Sequence, residues 1–186
     1  MVAPKVDLAV MLSKDAEDES LRKYKAALLG AAATNPGAVA GDAETRHVVV
    51  HEMRICVEGR PDIVVPLGTP ADVAAAERAR IVVKEGAVYV TRIVFSVHKN
   101  VVLGLKFHNA VYSSLGIVLD RVSQMLGSYP PDGKRVTADL PAGEWPSGFM
   151  ARGHYAAKAK FTDDDGTTHL AFAWSFDIAK TWPDGS

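Results

Sequence analysis

The chain has 186 residues, 48% hydrophobic and 23% charged, which is enough for one domain with its own core plus an extension. A net charge of -1 argues against a general nucleic-acid binder, and the single cysteine, Cys56, excludes an internal disulfide and fits a reducing compartment. No apolar run reaches the roughly 18 residues that a membrane span needs, and the start MVAPKVDLAVMLSKDAEDES lacks the basic-then-apolar pattern of a secretory signal, so the expectation is a soluble cytoplasmic protein.

Residues 6–30 differ in texture from the rest. Val6, Val10 and Met11 recur at helical spacing, and the acids Asp15, Glu17, Asp18 and Glu19 follow. Leu21, Tyr24 and Leu28 then mark one face of a second short helix, with Asp18 as N-cap and Gly30 as its stop. A helix this short is marginal alone in water. The pair reads either as an arm that orders against something else or as a helical hairpin packed on its own domain. Residues 31–44, AAATNPGAVAGDAE, have linker composition. The predicted division is therefore 1–44, arm and linker, and 45–183, a β domain.

From His47 onward the pattern turns to strands. They are predicted at 47–57, at 63–67 with Pro66 marking a sheet edge, at 81–83, at 88–98, at 101–112 with Gly104 a possible bulge, and at 135–140. The last pair, 149–161 and 169–179, forms a hairpin around the turn Asp163-Asp164-Asp165-Gly166. On its outgoing strand Tyr155, Ala157, Ala159 and Phe161 alternate with His154, Ala156, Lys158 and Lys160. Its return strand sets Leu170, Phe172, Trp174, Phe176 and Ile178 against Ala171, Ala173, Ser175 and Asp177. Such an apolar face needs a second layer, so the fold class is all-β, an immunoglobulin-like β-sandwich with a flexible N-terminal helical arm. Small residues beside large ones on that face read as ordinary packing or as an apolar ligand cavity between the sheets.

Motifs for catalysis are few. Ser20-Leu21-Arg22-Lys23 matches S-x-x-K but lacks the partner motifs of that chemistry. His47 and His51 on one strand would stand roughly 13 Å apart, too far to share a metal. His51-Glu52 lacks the second histidine of a zinc motif, and the Asp163–Asp165 run lacks the spaced ligands of a calcium loop. Cys56 reads as buried filler. The expectation is a protein that is not an enzyme, with no metal and no cofactor.

Several blocks resemble the Rho GDP-dissociation inhibitors, in the same order and over nearly all of residues 6–182: Asp18-Glu19-Ser20-Leu21-Arg22-Lys23-Tyr24-Lys25, Lys84-Glu85-Gly86, Gly104-Leu105-Lys106-Phe107, Met125-Leu126-Gly127-Ser128-Tyr129, Ala151-Arg152-Gly153 and Phe161-Thr162-Asp163-Asp164-Asp165. The resemblance implies a non-enzymatic regulator that binds prenylated, GDP-bound Rho-family GTPases, slows GDP release, extracts them from membranes and keeps them soluble, without itself inserting stably into a membrane. It implies a monomer alone and a heterodimer with the GTPase.

By the same resemblance Asp18, Ser20, Tyr24 and Asp165 would meet the GTPase. Leu28, Leu29, Phe95, Ala157, Phe172 and Trp174 would line a geranylgeranyl pocket, and Glu144 would face the GTPase's basic tail. Two departures stand out. Gly143-Glu144 keeps one acid where the family has a pair, and Ser113-Ser114-Leu115-Gly116 replaces a basic segment and is one residue longer. The alternatives are a general carrier for lipidated cargo and a protein-binding sandwich with a filled core.

Overall fold

The computed structural model describes residues 44–183. The predicted helical arm and most of the linker lie outside that range. Ten strands form two sheets: β1 Val48–Cys56, β2 Ile63–Pro66, β3 Arg80–Lys84, β4 Val88–Val97, β5 Val102–Ser113, β6 Val118–Tyr129, β7 Arg135–Asp139, β8 Gly143–Glu144, β9 Gly153–Thr162 and β10 Thr168–Ala179. One sheet runs β2-β1-β4-β7, with β8 added on β4; the other runs β3-β10-β9-β5-β6. The strand pairs are antiparallel except β3, which lies parallel to β10. Their inner faces share one core, as the sandwich reading requires.

The β9–β10 hairpin follows the predicted alternation. Ala157, Ala159 and Phe161 are buried on β9, as are Phe172, Trp174, Phe176 and Ile178 on β10, while Lys158 and Lys160 point outward. Register places Ala157 opposite Trp174 and Ala159 opposite Phe172, so small residues stand against large ones within a filled layer. At its turn Asp163 is the scaffold: its carboxylate accepts from the Thr167 N–H at 2.8 Å and stands 2.8 Å from His169 Nε2. Gly166, at φ 77°, supplies the left-handed residue of the reversal. Pro66 closes an edge strand as predicted.

Four elements depart from the sequence reading, the two-residue strand β8 among them. A helix, α1 Pro70–Arg78, was absent from it, although Thr69-Pro70-Ala71-Asp72 carries a full capping box. Its apolar content is mostly alanine, so it gives no strong helical stripe. It covers the half of β10 that β3 leaves open, where Glu77 Oε1 accepts from the Ala173 N–H at 3.3 Å. Strand β6 was likewise absent, because as an edge strand it leaves most of its residues exposed and shows little alternation. The strand predicted from residue 149 starts only at Gly153, since Phe149–Ala151 form a single 3-10 turn. Cys56 is half-buried rather than core. It sits out of phase with the buried Met53 and Ile55, and burial together with Asp62 pushes its thiol up, away from nucleophilic use.

Candidate functional site

A cavity of about 330 Å³ lies between the sheets, on the side where β6 and β8 face each other. Met53 and Ile55 of β1, Tyr89 and Thr91 of β4, and Leu140 line it from one sheet; Phe107 and Val111 of β5, Val122 of β6, and Trp174 and Phe176 of β10 line it from the other. Alternation explains the set, because the residues of one strand are separated by two positions, or by four for Phe107 and Val111, on an inward face. Where the cavity reaches the surface, Asp120 and Val122 stand on one side and Pro141, Ala142 and Glu144 on the other.

An aromatic group forms one wall. Tyr89 stacks on Trp145 at 4.3 Å between centroids, and Trp145 meets Phe176 at 4.7 Å. Close approach needs Gly143, where a Cβ would lie 2.8 Å from the Tyr89 ring. Polar groups are present as well, Thr91, Asn109, Asp120, Gln124 and Glu144 among them. Trp174 Nε1 donates to Asn109 Oδ1 at 3.2 Å, whereas the buried Trp145 Nε1 donates to no described group. Burial, and secondarily Asp120, push the Tyr89 phenol up, so it stays neutral. The deep walls suit an apolar chain, and the acids Asp120 and Glu144 stand toward the opening. No group of three metal-ligating side chains occurs among the described residues.

The sequence-derived residues distribute unevenly. Trp174 lines the cavity and Glu144 stands at its opening. Phe95 shares the inward face of β4 with Tyr89, Thr91 and Ile93 but lies beyond the cavity, fully buried and closed off by Tyr129 at 5.0 Å. Ala157 is core beside Trp174 rather than cavity wall. Phe172 is buried one inward position beyond Trp174 and borders a separate groove. Asp165 is exposed on the β9–β10 turn, at the far end of β5 from the β5–β6 turn, since Lys106 pairs with Thr162 and Ser113 with Tyr155. Asp18, Ser20, Tyr24, Leu28 and Leu29 lie outside the described residues.

Sequence reasoning missed Met53, Ile55, Tyr89, Phe107, Leu140, Trp145 and Val122 as cavity residues. The alternation of β1, β4 and β5 put most of them inside. Which inward residues meet empty space depends on where the sheets splay apart, and that has no local signal.

Comparison with known proteins finds relatives over nearly the whole chain. The family model described as RHO protein GDP dissociation inhibitor matches residues 1–181. Rho GDP-dissociation inhibitor 1 of Homo sapiens is 37% identical over 170 residues, 91% of this chain and 80% of that protein. Rho GDP-dissociation inhibitor 1 of Arabidopsis thaliana is 38% identical over 186 residues, 98% of this chain and 73% of that one. The Rho GDP-dissociation inhibitor of Schizosaccharomyces pombe is 36% identical over 178 residues, covering 96% and 84%.

Proposed function

The chain belongs to the Rho GDP-dissociation inhibitor family and acts as a Rho GDP-dissociation inhibitor, and on that premise we propose that it binds the geranylgeranylated, GDP-bound form of its GTPase with the lipid in the cavity between the sheets. The observation that carries this reading is the cavity itself: largely apolar walls, an opening between β6 and β8, and two acids, Asp120 and Glu144, beside it.

Energetics say why the cavity does not act alone. Each CH₂ moved out of water gains about 0.8 kcal/mol, but a bilayer offers nearly the same gain. Net extraction therefore needs protein contacts that exist only in the complex. Asp165 on the β9–β10 turn and Asp18, Ser20 and Tyr24 of the arm supply them in this proposal, with Leu28 and Leu29 completing the lipid site. An arm that orders on the GTPase holds its switch segments and resists the opening through which GDP leaves. One inhibitor binds one GTPase and holds it in the cytosol. No helix among the described residues is long and apolar enough to cross a membrane.

The test is GDP release from a Rho-family GTPase, with and without this chain, in prenylated and unprenylated forms. Slowing confined mainly to the prenylated form is the expected result. Equal slowing of both would remove the lipid from the account. Slowing of neither, with tight binding of a geranylgeranyl peptide, would favour a general lipid carrier.

A further inference from the structure

Two exposed apolar segments lie at the same end of the β3-β10-β9-β5-β6 sheet. Leu115 is 84% exposed at the β5–β6 turn, with Ile117 and Leu119 also exposed just after it; Phe149 and Met150 are 84% and 96% exposed in the turn before β9. They are far apart in sequence, but Ser113 pairs with Tyr155, so the β5–β6 turn and the start of β9 leave the sheet at the same end. Exposed residues this large, grouped from two segments, are not the usual scatter of single surface apolar side chains.

Both segments are held in place. In the first, the Gly116 N–H donates to Ser113 O at 2.9 Å and the Ile117 N–H to Ser113 Oγ at 3.2 Å. In the second, Glu85 accepts from the Gly148 N–H and the Arg152 guanidinium, and Tyr155 Oη donates to Ala151 O at 2.7 Å.

Behind the apolar end the outer face of the sheet is basic. Register sets Tyr112 nearest the turn, then Ala110 flanked by Arg121 and Lys158, then His108 beside Lys160. These residues border a groove of about 750 Å³ with an alanine floor, and Glu77 is its one acid. None of Arg121, Lys158 and Lys160 has an ion-pair partner among the described residues; the Lys158 ammonium lies 5.6 Å from the Tyr112 ring centroid. Burial, and after it Lys160 and Lys106, hold His108 below its ordinary value. The order from the tip inward is apolar, aromatic, cationic, which matches the layering of a bilayer from acyl chains to anionic headgroups.

We propose that this end of the sheet, the β5–β6 turn with the 149–151 turn, docks on an anionic lipid surface. A second copy of the chain is a poorer occupant, because two-fold pairing of this face would oppose its own cations. The docked end adjoins the cavity: β6 carries the tip residues Ile117–Leu119 directly into Asp120 and Val122 at the opening. This inference rests on the prenyl reading only for its purpose, which is to bring the cavity opening to the membrane that holds the cargo.

The experiment is vesicle co-sedimentation of the full chain, with phosphatidylcholine vesicles and with vesicles one-fifth phosphatidylserine. Dynamic light scattering and binding of a geranylgeranyl peptide in solution are measured on the same samples. Replacing exposed apolar residues, Leu115→Asp with Phe149→Asp, is expected to lower affinity for the mixed vesicles by about tenfold or more. Arg121→Gln with Lys158→Gln is expected to lower it on the mixed vesicles and leave phosphatidylcholine binding unchanged. All variants should keep the unmutated affinity for the peptide. Vesicle binding that is absent in the unmutated chain, or equal in the Leu115/Phe149 variant, overturns the proposal, as does a dimer that this variant dissociates. An unmutated chain that ignores the peptide yet loses vesicle binding on substitution upholds docking and removes the prenyl reading instead.

Discussion

The two long hairpins of the same sheet, β9–β10 and β5–β6, are both antiparallel and of similar length, yet bury very different amounts of apolar surface. On β9–β10 each large inward residue meets the other sheet, and the outward positions are lysine, alanine or polar. On β5–β6 the outer strand stands at the sheet edge, and Leu115, Ile117, Leu119, Val122 and Met125 remain exposed. Burial in the first hairpin builds the fold. Exposure in the second frames the cavity opening and the apolar end. The proposed lipid-docking end thus lies on β5–β6 while β9–β10 chiefly builds the core, and substitutions should separate the two.

The largest effect belongs to the buried hairpin. Phe161→Ala removes a fully buried ring packed 5.1 Å from Phe107, and should cost about 3–5 kcal/mol of stability. The denaturation midpoint reads it. Leu115→Ala should leave that midpoint unchanged within about 0.5 kcal/mol, and a comparable loss there would break the comparison. Ala157→Trp comes next. In the core beside Trp174 it overpacks the layer, with a cost of about 1–3 kcal/mol or more.

Gly104→Ala should be smaller, about 1–2 kcal/mol. Gly104 has φ 58° within the irregular start of β5, and a Cβ there would lie 2.0 Å from the Asp164 carboxyl, which pairs with Lys106. The unfolding midpoint of this variant, compared at neutral pH, reports it.

The smallest effect appears only in acid. Arg152 foremost, with the Gly148 N–H, holds Glu85 below its ordinary value of 4.5. The unfolded chain therefore binds the proton first. The stabilisation is complete above about the ordinary value and is lost as pH falls through the depressed one. Glu85→Gln should lower stability at pH 7 and flatten its decline between pH 5 and 3, in denaturation curves taken across that range. Because this ion pair holds the Phe149 turn, the same variant should also weaken vesicle binding.

How far the sequence carried follows from the same contrast. Strict alternation on β9–β10 announced a hairpin, its turn and its buried face, because a strand covered on one side leaves a period-two record. Edge strand β6 left none, since Val118–Gln124 satisfies no single face. Helix α1 had its signal in Thr69 and Asp72, but a helix of alanines over a sheet edge carries little hydrophobic pattern. Of the residues the sequence pointed to, Trp174 lines the cavity and Glu144 stands at its opening. Phe95 and Ala157 were on the correct inward faces, yet depth along the strand decides between cavity and core. That depth depends on how far the sheets separate at β6 and β8, a property of the assembled layers.

The central claim is that the cavity opening on β6 admits a geranylgeranyl chain. Val122 lines that opening and is 38% exposed, so a bulkier residue there has room to fold. The most direct measurement is titration of the unmutated chain and of Val122→Trp with a fluorescent geranylgeranyl peptide, alongside their denaturation curves. The account predicts saturable binding by the unmutated chain and a loss of roughly tenfold or more in the variant, at matched stability. Equal affinity in both proteins would contradict it and place the lipid elsewhere.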